Sequence, residues 1–183
     1  MTTRSPTTAA LRASRGARLP DIIAPKLKVL FCGINPGLYS AAIGHHFARP
    51  GNRFWPALKA AGFTQRTLSP LQDSLLLQFQ CGLTNIVARA TARAEELSTH
   101  ELLSGRRRLE GKVRRYAPRW VAILGIGAYR VAFERPTASL GPQTDCLARA
   151  RLWVLPNPSG LNEHHQSADL ARAFRRLHRA ASE

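Results

Sequence analysis

The sequence predicts an α/β fold: a three-layer sandwich with a central, mainly parallel sheet flanked by helices. Short, wholly apolar runs carry the first half of that reading. Val29-Leu30-Phe31, Trp120-Val121-Ala122-Ile123-Leu124 and Leu152-Trp153-Val154-Leu155 are bounded by turn residues, as strands buried on both faces are. Longer stretches between them repeat apolar residues at helical spacing, and strands alternating with helices build a sheet covered on both sides. A further observation concerns function. The first and last of these strands each run into a rigid loop, Gly33-Ile34-Asn35-Pro36-Gly37-Leu38 and Pro156-Asn157-Pro158-Ser159-Gly160-Leu161-Asn162. Ligands in open α/β sheets bind beyond the carboxyl ends of strands, so two such loops can face one cleft.

Residues 1–20 hold Arg4, Arg12, Arg15 and Arg18 without an acid or a strong apolar period, and read as a basic disordered tail. Residues 21–183 read as a single domain, because 183 residues with 44% hydrophobic content suffice for one ordinary core. The first strand spans 27–31. In its turn, Asn35 is the one polar side chain, framed by Pro36 and Gly37. Residues 39–50 read as a loop bordering a pocket. Its adjacent His45 and His46 make a poor ligand pair without partners elsewhere, so no metal is expected.

A helix starts at Asn52, with Phe54, Trp55, Leu58 and Ala61 on one stripe and Gly62 ending it. Another spans 70–80, with Leu71, Leu75, Leu76 and Phe79 together. Residues 82–87 form a short strand whose polar pair Thr84-Asn85 can reach the same cleft, and 89–96 is a polar loop. Ser98-Thr99-His100-Glu101 fits a capping box opening a helix to Tyr116. Strand 120–125 is followed by a short helix over 127–133. Residues 134–149 read as a loop with a weak strand, and the strand at 152–155 and its loop follow. The last helix covers 167–181, with Leu170, Phe174 and Leu177 inward and an arginine face outward. No repeat and no second domain is evident.

Lys plus Arg is 27 against 11 Asp plus Glu, a formal charge of +16. That balance favours a polyanionic partner, nucleic acid above all, although an arginine-rich genome produces the same composition. No apolar run approaches a membrane span, and the N-terminus lacks the apolar core of a secretory signal. Cys32, Cys81 and Cys146 are widely spaced and lack CxxC pairs. They read as buried small hydrophobes in a reducing cytoplasm rather than a disulfide framework or zinc site.

Four motifs in order carry a resemblance to a family. They are Gly33-Ile34-Asn35-Pro36-Gly37-Leu38, Phe47-Ala48-x-Pro50-x-Asn52-Arg53-Phe54-Trp55, Cys81-Gly82-Leu83-Thr84-Asn85 and Asn157-Pro158-Ser159-Gly160-Leu161. Together they resemble the mismatch-specific uracil DNA glycosylases, bacterial relatives of thymine DNA glycosylase in the uracil-DNA glycosylase superfamily. The resemblance runs from about Asp21 to Leu177. It implies hydrolysis of the N-glycosidic bond of uracil in double-stranded DNA, typically opposite guanine, leaving an abasic site. It also implies no metal or organic cofactor, no membrane association, a monomer, and a bacterial cytoplasmic protein held at the nucleoid through DNA.

The resemblance assigns roles by position. Asn35 matches the catalytic residue. An amide takes no proton at neutral pH, so it can only orient a water through its carbonyl oxygen. Backbone N–H groups near Ile34 and Gly37 are the donors for charge developing on the departing uracil. Phe47 matches the aromatic that stacks on the flipped base, while Ser40 and Asn85 are further pocket positions. Asn157, Ser159, Gly160 and Leu161 match the wedge loop, Leu161 entering the stack that uracil leaves and Gly160 approaching the opposite guanine. Glu163 departs from the family pattern, where a basic residue follows the wedge. His164 and His165 are alternative contacts there.

One competing reading is a non-catalytic binder of mismatched or damaged DNA. A nucleotide-binding enzyme fits poorly, because the Gly33–Gly37 turn lacks a phosphate-loop lysine and the spaced glycines of a dinucleotide fingerprint. The ranking of uracil, thymine, ethenocytosine and deaminated purines is left open by the residues.

Overall fold

The computed structural model describes residues 5–159 and 166–183. Its centre is a five-stranded sheet in the order β2-β1-β3-β5-β4. The strands are β1 (Val29–Gly33), β2 (Cys81–Asn85), β3 (Trp120–Leu124), β4 (Gly141–Leu147) and β5 (Ala150–Leu155). The first, second, third and fifth pair in parallel, and β4 closes one edge antiparallel to β5. The helices are α1 (Thr8–Ala13), α2 (Leu38–Ile43), α3 (Phe54–Ala61), α4 (Thr99–Tyr116), α5 (Ile126–Ala132) and α6 (Ser167–Ser182), with a 3₁₀ helix over Pro70–Phe79.

Strand alternation divides the core into two layers. Val29, Phe31, Trp120, Ala122 and Trp153 face α3 and α6, where they meet Phe54, Leu58, Phe174 and Leu177. Leu30, Cys32, Val121, Ile123 and Val154 face the other way, onto Leu109 and Val113 of α4 and Tyr129 of α5. This is the expected three-layer α/β sandwich. Every residue of β1, β2 and β3 is buried, which is why their sequences show no polar alternation.

The order places β1 between β2 and β3, so successive connections leave it on opposite sides. A crevice opens at the carboxyl end of a strand at such a switch point. Register aligns Gly33 with Asn85 there, and Leu124 with Leu155.

Several elements differ from expectation. The 39–50 stretch contains α2, ended by Gly44 in the left-handed conformation at φ 82°. Six residues are too few to show a helical period. The expected disordered tail contains α1, with Thr7 Oγ1 accepting from Ala10 N at 3.2 Å, and Leu19 is buried. Contacts distant in sequence order this segment: Gly16 N donates to Ala90 O at 2.9 Å, and Ala90 N to Ala17 O at 2.8 Å. The weak strand expected within 134–149 is β4, an edge strand that tolerates Pro142 and an irregular register. Cys146 lies on it and is exposed, contrary to expectation, whereas Cys32 and Cys81 are buried and unpaired. Burial pushes the thiol of Cys81 up to about 12.

Candidate functional site

A cavity of about 630 Å³ lies at the carboxyl ends of β1, β2 and β3, within the usual range of ligand clefts. Ile34, Asn35, Gly37, Ser40, Phe47, Asn85, Asn157 and Ser159 all line it. Residues from four separate motifs therefore share one wall-to-wall space. Gly160 and Leu161 lie outside the described residues, as do Glu163, His164 and His165.

Asn35 is held from the loop after β2. Its Nδ2 donates to Arg89 O at 3.0 Å and to Thr91 Oγ1 at 2.7 Å. A backbone carbonyl only accepts, so the amide nitrogen must face Arg89 and both its hydrogens are committed. The Thr91 hydroxyl spends its own hydrogen on Arg93 O at 2.7 Å, which leaves its lone pair for Asn35. Oδ1 is then the Asn35 atom available to accept from a water.

The loop itself is tied down on several sides. Thr91 N donates to Pro36 O at 3.1 Å. The Arg89 guanidinium grips both carboxylate oxygens of Glu101. That pairing holds the Glu101 carboxyl down at about 2, while Glu101 also caps α4 through Ser98 N.

Gly33 makes room for the flat part of the pocket. A Cβ at this position would lie 2.5 Å from Asn85 Oδ1 and 3.5 Å from Phe47 Cζ. The bare glycine thus lets the Asn85 amide and the Phe47 ring edge converge over the end of β1. Phe47 stacks on Phe54 with ring centroids 4.1 Å apart and planes 24° apart. Its φ is +52°, a conformation that side-chain-bearing residues avoid.

Two buried side chains fasten the loop that presents Phe47. Ser40 Oγ accepts from Ala48 N at 3.0 Å, and Asp73 Oδ2 accepts from His46 N at 3.1 Å. His46 is buried, with Nε2–H donating to Pro20 O at 2.9 Å. Burial lowers its pKa, so the ring is neutral near pH 7. Among the described residues no cluster of three His, Cys, Asp or Glu is arranged to hold a metal ion.

On the far side, Arg53 fastens the second loop. Its backbone N donates to Pro158 O at 3.0 Å and its Nη2 to Ser159 O at 2.9 Å. Asn157 Oδ1 accepts from Ser159 N at 3.0 Å, an Asx turn at the cavity rim. Arg49 and Arg93 stand on the cavity lining and are exposed.

Thr84 does not share the cleft with Asn85. Its hydroxyl donates to Asp21 Oδ1 at 2.6 Å and accepts from Lys112 Nζ at 2.9 Å, because adjacent strand residues face opposite sides of the sheet. Lys112, Arg106 and Arg114 of the basic helix are paired with acids, so part of that charge is internally balanced. Sequence reasoning missed Gly33, Arg53, Arg89 and Thr91 as site-building residues. Gly33 acts by close approach, and Arg53, Arg89 and Thr91 act through backbone and side-chain bonds to partners distant in sequence, which leave no periodic signal.

The model of the Uracil DNA glycosylase superfamily matches residues 20–178 of this chain. A solution NMR structure from Methanosarcina acetivorans, of a candidate uracil DNA glycosylase, superposes with a TM-score of 0.55 at 19% identity. The match covers 90% of this chain and 98% of that one.

Proposed function

The chain belongs to the uracil DNA glycosylase superfamily, and we propose that it is a monofunctional glycosylase that removes uracil from G·U mismatches in double-stranded DNA. Ethenocytosine, and thymine more weakly, are secondary substrates in this reading. The observation that carries it is the commitment of both Asn35 amide hydrogens to Arg89 O and Thr91 Oγ1. An asparagine locked this way offers a fixed acceptor, beside an aromatic ring, in a cavity with room for a base.

A base inside a duplex hides its glycosidic bond, so the nucleotide must be flipped out. A mismatched base costs less to extrude, which favours G·U before any pocket contact. Phe47 then stacks on the base, and Asn85 and backbone N–H groups near Ile34 and Gly37 meet its edge. The C1′–N1 bond breaks with its electron pair passing to uracil, where those donors stabilise the charge. Water held by Asn35 Oδ1 bonds to C1′, and its proton is lost to solvent or to the departing uracil. Asn35 takes no proton, so bond breaking must run ahead of attack. Leu161 would fill the vacated stack, supported by Gly160 next to the opposite guanine.

The DNA partner enters across a face carrying Arg49 and Arg93, and the protein acts as a monomer in the bacterial cytoplasm. No helix among the described residues is long and apolar enough to cross a membrane. Single-turnover excision with excess protein tests the reading on duplexes holding uracil, thymine, ethenocytosine or hypoxanthine opposite guanine. Uracil opposite adenine and in single strands completes the panel. Release from G·U, lost in Asn35→Ala with binding retained, is the expected result. Binding of the mismatch without release by either protein would make it a non-catalytic binder.

A further inference from the structure

The segment ahead of β1 touches both walls of the cavity. On one side, Gly16 N and Ala17 O bracket Ala90 with hydrogen bonds of 2.9 and 2.8 Å. Ala90 is fully buried and sits between the two residues that receive the Asn35 amide. Arg18 and Arg89 form the next bridge, and Arg15 Nη1 reaches Glu96 Oε2 at 2.5 Å. On the other side, Pro20 O accepts from His46 Nε2, next to Phe47. Between these anchors, Leu19 is buried and forms part of the cavity lining. These residues, apart from Pro20, precede the span 20–178 matched by the family model.

We propose that residues 14–20 are a positioning strap for Asn35: they hold the 89–91 loop that orients its amide and supply Leu19 to the pocket wall. The loop needs such a hold. Beyond Thr91 it runs through Ala92, Arg93, Glu95 and Glu96, all exposed, so the hold on buried Ala90 and Thr91 fixes its course. Pro36 O holds it at Thr91 N, and Glu101 holds it at the Arg89 side chain. The strap adds backbone bonds to Ala90 between those two points, so a displacement of the strap moves both acceptors of the Asn35 amide together. A misplacement of about 1 Å at a reacting group can cost on the order of a hundredfold in rate. The segment read from sequence as a solvated basic tail is, in this account, part of the catalytic scaffold.

Gly16 is the place to test it. Its φ is +79°, and the space around its Cα is open. Proline there removes the N–H that reaches Ala90 and cannot adopt this φ. Asparagine keeps the N–H and tolerates the left-handed conformation, and alanine keeps the N–H at a conformational cost.

The test uses full-length Gly16→Pro, Gly16→Ala and Gly16→Asn beside wild type. Single-turnover rate constant and burst amplitude on a G·U duplex are measured, with Kd for the same duplex. The inference rests on the proposed glycosylase activity, so amide hydrogen exchange at Ala90 and Thr91 is read in parallel. Gly16→Pro is expected to lower the rate constant by roughly ten- to a hundredfold. Amplitude and Kd should stay near wild type, and exchange at Ala90 and Thr91 should accelerate. Gly16→Ala should fall between, and Gly16→Asn should restore both readouts. A merely structural segment would instead lower amplitude and melting temperature at an unchanged rate constant, and a DNA-binding tail would raise Kd alone. Either result overturns the strap. Should wild type release no base, the glycosylase reading fails by itself, and the exchange data still decide: unchanged exchange in both Gly16→Ala and Gly16→Pro overturns the strap.

Discussion

Thr91 Oγ1 accepts a hydrogen bond from Asn35 Nδ2 at 2.7 Å, across more than fifty residues of sequence. With Arg89 O on the second amide hydrogen, it fixes which way the Asn35 carbonyl oxygen faces. The Thr91 hydroxyl is itself oriented by Arg93 O.

Thr91→Val should therefore reduce excision without abolishing it. The substitution preserves shape and removes the acceptor, leaving one amide hydrogen unpaired. The loss of a hydrogen bond of this class is about 1–3 kcal/mol, or roughly five- to 150-fold in rate. Thr91→Ser should recover most of it. Single-turnover rates on one G·U duplex check both, and equal rates for Thr91→Val and wild type would remove Thr91 from the mechanism.

Gly33→Ala should be destabilising and partly rescued by a second substitution. The new Cβ would stand 2.5 Å from Asn85 Oδ1, a distance real side chains do not tolerate. Overpacking of this kind costs about 1–3 kcal/mol. Asn85→Ala removes the opposing atom, so the double variant should lose less than the sum of the singles. Denaturant unfolding of the four proteins closes the cycle, and strict additivity would show that the Asn85 amide simply swings aside.

Arg53→Ala should weaken action on duplexes more than on single strands. Arg53 holds the 157–159 loop from its backbone N to Pro158 O and from its side-chain Nη2 to Ser159 O. The backbone bond survives the substitution, so the fold should persist while the loop loosens. A ratio of duplex to single-strand excision up to roughly ten- to 150-fold below wild type is expected, since a side-chain bond from a charged donor is worth about 1.5–3 kcal/mol. An unchanged ratio would separate Arg53 from duplex opening.

Stability should fall as pH drops below about 6.5. Burial, opposed by the Pro20 hydrogen bond and the Asp73 charge, lowers the pKa of folded His46, and His178 is lowered by burial and then by Lys28. Unfolded histidine takes up a proton near its ordinary value, but folded His46 does so only at lower pH. Between the two the unfolded state binds more protons, so stability rises with pH through that window and is complete above it. His46→Gln, whose amide can still donate to Pro20 O, should flatten the slope of melting temperature against pH and leave the share due to His178. An unaltered slope would assign the effect to other groups.

Local chemistry determined much of this protein directly. Apolar runs marked β1, β3 and β5 because strands buried on both faces need no polar alternation. Ser98 and Glu101 marked the start of α4 because a capping box satisfies the first turn within four residues. Asn35, Phe47 and Asn157 stood out through the four ordered motifs that carry the family resemblance, since an asparagine in a Gly/Pro turn is by itself an ordinary turn residue. What only the tertiary structure decided depends on partners distant in the chain. Arg89 O, Thr91 Oγ1 and Asn35 meet because parallel pairing brings the ends of β1 and β2 side by side. The absent Cβ of Gly33 matters only because Asn85 and Phe47 arrive over it. Residues 14–20 are ordered by hydrogen bonds to Ala90 rather than by any pattern of their own. Backbone hydrogen bonds and close approach carry no residue signature, so no reading of side chains along the chain reveals them.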